Sequence, residues 1–92
     1  MSDDKAQLSE IARSLGPLCS HVLVGEEDSA SYLFAVGLKR IHSLDLRRTE
    51  GSLVLELWRG PDGADDIVSK EQPSTFDVAL LQCERWLRND AT

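Results

Sequence analysis

Two leucine-bearing stretches face each other across Glu50-Gly51, and no other feature restricts the fold of this chain so tightly. A two-residue loop there, inside Thr49-Glu50-Gly51-Ser52, sets Leu46 opposite Leu55 and Leu44 opposite Leu57 in an antiparallel hairpin. Side chains alternate along a strand, so these four leucines share one face with Leu53. Ser43, Asp45, Arg47, Val54, Glu56 and Trp58 go to the other. A slip of one residue would scramble both sets, so the register is firmly specified and the leucine face needs a cover.

Two amphipathic helices can supply that cover. From Asp3 to Leu15 the positions Leu8, Ile11, Ala12 and Leu15 recur at helical spacing, with Asp3 or Asp4 as N-cap and Gly16-Pro17 as the stop. Pro73-Ser74 opens a second helix, with Ser74 and Asp77 in a capping-box arrangement. Its apolar stripe is Phe76, Val78, Ala79, Leu80, Cys83, Trp86 and Leu87, and it runs to about Asn89.

Between these elements, Leu18 to Val24 reads as a strand and Glu26-Glu27-Asp28-Ser29 as a surface loop. Residues 29–41 fit two templates: Tyr32-Leu33-Phe34-Ala35-Val36 suits a buried strand, yet Leu33, Gly37, Ile41 and Leu44 also form a helical stripe. The strand is preferred because Gly37 falls mid-run and Ser29-Ala30-Ser31 starts a helix poorly. Gly60-Pro61-Asp62-Gly63 is a turn, and Asp65 to Ser69 suits a short edge strand. The expectation is a single α+β domain over residues 1–92: an antiparallel sheet of three to four strands with both terminal helices on its leucine face.

Composition then excludes several functions. At 41% apolar and 28% charged residues the chain has ordinary globular usage, with no apolar run long enough to span a membrane. A net charge of −6 repels nucleic acid phosphates. The acidic, polar start Met1-Ser2-Asp3-Asp4-Lys5 is unlike a secretory signal, and two cysteines 64 residues apart are not a disulfide framework, so a cytoplasmic setting is expected.

The opposite sheet face holds the candidate site. Trp58 with Val54, rimmed by Arg47 and Arg59, has the composition of an interface centre. Asp45 opposite Glu56 is a like-charge pair that Arg47 can bridge, and an open sheet offers it no catalytic cleft. Lys39, Arg40, Arg47, Arg48 and Arg59 form a basic island between acidic flanks, fitting either an acidic partner or protection of strand edges. Cys19, His21, His42 and Cys83 are the only soft metal ligands, and they lack the paired spacings of a zinc site. Asp62-Gly63-Ala64-Asp65-Asp66 lacks the second oxygen ligand and the glycine of a calcium loop. No phosphate-binding, dinucleotide-binding or hydrolase motif occurs, so neither enzyme activity nor a cofactor or metal is expected.

The helix, three strands, helix order is similar in topology to that of double-stranded RNA-binding domains. That family carries a lysine cluster at the start of its last helix, whereas this chain has Pro73-Ser74-Thr75-Phe76-Asp77 and no base before Arg85. In broad character the chain also looks like secretion chaperones and toxin or nuclease inhibitors. Two functions are therefore expected. The first is a protein-interaction module using Arg47, Val54, Trp58 and Arg59 to hold another protein or a second copy. The second is an acidic inhibitor whose Glu26-Glu27-Asp28 and Asp62 to Glu71 mimic nucleic-acid phosphate.

Overall fold

Chain order becomes spatial order in this molecule. The computed structural model describes residues 3–27, 30–49, 51–60 and 67–91. Helix α1 (Asp3–Leu15) and a 3-10 turn (Gly16–Leu18) lead into β1 (Cys19–Glu27), β2 (Ala30–Gly37), β3 (His42–Thr49), β4 (Ser52–Arg59) and β5 (Ile67–Glu71), and α2 (Phe76–Ala91) follows. The strands form one antiparallel sheet in the order β1-β2-β3-β4-β5. The α+β layout is as expected, but the sheet has five strands where three to four were expected. The helix, three strands, helix order behind the likeness to RNA-binding domains is therefore not the topology of this chain.

The hairpin register is the expected one: Leu46 pairs with Leu55 and Leu44 with Leu57. Gly51 adopts a φ of 71°, which favours glycine, while Glu50 lies outside the described residues. Residues 31–37 are strand, because Leu33 and Ala35 continue the leucine rows of β3 while Tyr32 and Phe34 go to the other side. β1 extends to Glu27, three residues beyond the expected end at Val24, because the outer strand leaves Glu26 and Glu27 exposed. β5 starts at Ile67; the expected strand residues Asp65 and Asp66, and turn residues 61–63, lie outside the described residues.

Both helices lie on the leucine side. Leu8, Ile11 and Leu15 of α1 and Ala79, Cys83 and Leu87 of α2 join Leu33, Ala35, Leu44, Leu46, Leu53 and Leu55 in one buried cluster. α1 already includes Asp3, so the expected capping position falls inside the helix; Asp4, in its first turn, pairs with Arg48 at 3.7 Å. α2 is capped one residue later than expected. The Val78 N–H donates to Thr75 Oγ1 at 3.1 Å, so Thr75 takes the place assigned to Ser74, and Asp77 sits in the first turn. Trp86 fixes α2 to the sheet by donating its Nε1–H to the Ser43 carbonyl at 2.9 Å and meeting His42 edge-on with ring centroids 4.5 Å apart.

Candidate functional site

Neither helix touches the second face of the sheet, and its composition follows from strand alternation. One row crosses all five strands as Leu23, Phe34, Asp45, Glu56 and Lys70. Beside it run Gly25, Tyr32, Arg47 and Val54 on one flank, and His21, Val36, Ser43, Trp58 and Ile67 on the other. Arg47, Val54 and Trp58 thus share this face as expected. Arg59 does not: it pairs with His42, whose ring packs against Trp86 on the helix side, and it follows Trp58 by one residue. One-residue alternation removes it from the rim of the open face.

Trp58 is half-buried. Its ring lies 6.0 Å from that of Phe34 at an interplanar angle of 47°, and its Nε1–H is buried with no acceptor among the described residues. A buried donor left without a partner costs on the order of 1–3 kcal/mol. Ser43 beside it is buried and donates its hydroxyl to the Gly60 carbonyl at 2.7 Å. Val36 is buried as well, whereas Leu23 and Ile67 at the two outer strands are 48% and 52% exposed.

The flank around Tyr32 is built over a glycine. A Cβ at Gly25 would come within 2.7 Å of Tyr32 Oη, so the Tyr32 side chain lies across β1 where any other residue would displace it. The Arg47 guanidinium sits 5.4 Å from the Tyr32 ring centroid, with Asp45 at 3.6 Å and Glu27 at 3.8 Å. Lys70 pairs with Glu56 at 3.8 Å. The charges of this face are thereby matched within the face itself.

Burial pushes the Asp45 carboxyl above its ordinary range; Arg47 opposes that shift, while Glu56 and Glu27 add to it. The expected bridging of the Asp45 and Glu56 pair by Arg47 is half realised: Arg47 serves Asp45, and Lys70 serves Glu56. Leu23, Tyr32, Phe34, Asp45, Arg47 and Trp58 frame a shallow depression of about 330 Å³. A second depression of about 280 Å³, between α2 and the sheet, is framed by Leu57, Glu71, Gln82, Arg85, Trp86 and Asn89. The Ser69 hydroxyl is bonded to Glu71 there.

The other candidate groups are dispersed. Arg48 goes to the helix side, over the Phe76 ring at 5.6 Å, and Lys39 and Arg40 occupy the turn after β2, with Arg40 at a φ of 60°. Cys83 is buried in the core, its thiol pushed up to about 12 by that burial, and His42 is committed to Trp86. Among the described residues no three of His, Cys, Asp and Glu are grouped to hold a metal ion. No described helix is long and apolar enough to cross a membrane.

Sequence reasoning missed Leu23, Gly25, Tyr32, Phe34 and Ile67 as parts of this face. The signal for Tyr32 and Phe34 was their alternation with Leu33 and Ala35, which becomes readable once β2 is set in register with the hairpin. Compared with known proteins, the chain matches no family model, no curated protein and no solved structure.

Proposed function

We propose that this chain is a non-catalytic protein-interaction module, working in the cytoplasm, that holds a partner protein on the open sheet face around Trp58. The observation that carries this reading is the apolar set of Leu23, Tyr32, Phe34, Val54 and Trp58, spread over three adjacent rows of a face that both helices leave uncovered. Aromatic residues beside arginine dominate binding energy at interface centres. Because Arg47, Asp45, Glu56 and Lys70 are already matched to one another, the complementary surface is apolar and weakly charged.

The acidic-inhibitor reading draws less support. Glu26 pairs with Lys5 at 3.9 Å and Glu27 with Arg47 at 3.8 Å, while Asp28 and residues 62–66 lie outside the described residues. The test is affinity capture from the native cell extract with wild type, Trp58→Ala and Val54→Asp, circular dichroism confirming that each variant is folded. Both variants are expected to lose the captured partner, and capture by wild type is expected to change little between low and high salt. A partner retained by both variants, or released steeply by salt, overturns the reading.

A further inference from the structure

The two edges of the sheet are built differently. β5 is only five residues long and carries Lys70, both of which discourage the addition of another strand, and each edge strand meets its neighbour through one register shift, β1 between Cys19 and His21 and β5 opposite Leu57 and Trp58. β1 is nine residues long, has no lysine, arginine or proline, and holds its only charges, Glu26 and Glu27, at its last two positions. Among the described residues no strand pairs with its outer side, where Ser20, His21 and Leu23 are exposed. The centre of β1 is symmetric about Leu23. Val22 and Val24 flank it, and His21 and Gly25 lie beyond. Two copies of one strand can pair antiparallel about a two-fold axis only if residues equally far from the centre suit one another.

We propose that β1 of one copy pairs antiparallel with β1 of a second copy about Leu23, joining two five-stranded sheets into one of ten strands. Leu23 then meets its own counterpart on the open face. Val22 meets Val24 on the helix side, extending the apolar rows that Ala35 and Leu33 begin. His21 stands opposite Gly25, where the Tyr32 side chain already lies across the strand, so His21 meets the Tyr32 ring edge of the second copy. Glu26 and Glu27 fall beside the irregular, acid-free start of β1 in the second copy, at residues 19–20, so acid does not oppose acid. The pairing adds a strand where, among the described residues, β1 has a strand on one side only. This inference goes beyond the docking role of the Phe34 and Trp58 centre, which lies inward of β1.

Each copy carries a net charge of −6, so screening by salt strengthens the association. Sedimentation equilibrium of the full chain over a wide concentration range is expected to show a reversible dimer that tightens with salt. Leu23→Lys and Leu23→Glu, at a position 48% exposed, are each expected to raise the dissociation constant by about ten-fold or more, since like charges then face each other. An equimolar mixture of the two is expected to recover a mixed dimer. In a Cys19→Ser background, Leu23→Cys is expected to give an interchain disulfide on mild oxidation, and Leu81→Cys, exposed on α2, is not. A monomer at every concentration overturns the proposal. So does a dimer that ignores Leu23→Lys, fails to form from the mixed pair, or yields no disulfide at position 23. A dimer broken by Trp58→Ala but not cross-linked at position 23 assigns self-association to the open face instead.

Discussion

The two faces of this sheet are made from the same strands, residue by residue in alternation, yet they follow opposite rules. Leu33, Leu44, Leu46 and Leu55 on the helix side are wholly buried, and the side chains packed there are almost uniformly aliphatic. On the open side Tyr32, Phe34 and Trp58 are half-buried, interleaved with Asp45, Arg47, Glu56 and Lys70. The helix side is specified by volume, whereas the open side is specified by individual contacts: a ring over a glycine, a guanidinium over a ring, a carboxylate held by its neighbour. Apolar burial is therefore concentrated on the helix side, while the open side is held by paired polar and aromatic contacts.

Three experiments would break or sharpen that contrast. Leu46→Ala, at the centre of the helix-covered face, is expected to lose about 2–5 kcal/mol in urea unfolding, the range for a buried leucine. A loss no larger than that of Val54→Ala would mean the two faces share the load. Gly25→Ala is expected to cost about 1–3 kcal/mol, because the new methyl meets Tyr32 Oη and Cζ at 2.7 and 2.8 Å. Tyr32→Ala in the same chain should return part of that loss; no recovery would place the clash elsewhere. The smallest effect concerns Asp45, whose pKa is raised in the folded state above its ordinary 3.8. Between those two values the folded chain holds a proton that the unfolded chain has released, so stability falls as pH rises through that window. Unfolding measured for wild type against Asp45→Asn should show wild type losing ground over that range, and a difference flat with pH would contradict the burial of the carboxyl.

Much of the helix-covered face was legible in the sequence, because leucine at every second position on both arms of a tight turn admits one register. The open face was legible only where it shares that hairpin, at Arg47, Val54 and Trp58. β2 is apolar on both sides, so Tyr32-Leu33-Phe34-Ala35-Val36 shows no alternation of polarity to assign its residues to faces. Leu23 and Gly25 were hidden for a related reason: an edge strand is half exposed along its length, and its acids at Glu26 and Glu27 resemble a loop. Arg59 does not belong to the face because residues adjacent in a strand point to opposite sides of the sheet. The cap of α2 moved by one residue because Ser74 and Thr75 carry the same hydroxyl chemistry, and only the Val78 N–H distinguishes them.

The uninterrupted β1-to-β5 order bears on how the chain finds its structure. Every strand pairing joins neighbours in sequence, so each hairpin forms with little loop-closure entropy and the sheet can grow from the central β3–β4 hairpin outward in either direction. The distant closure is that of α1 on α2, which brings Leu8 and Leu15 together with Cys83 and Leu87 from opposite ends of the chain. A nucleus in the central hairpin with late docking of both helices follows, so core substitutions in α1 should speed unfolding far more than they slow folding.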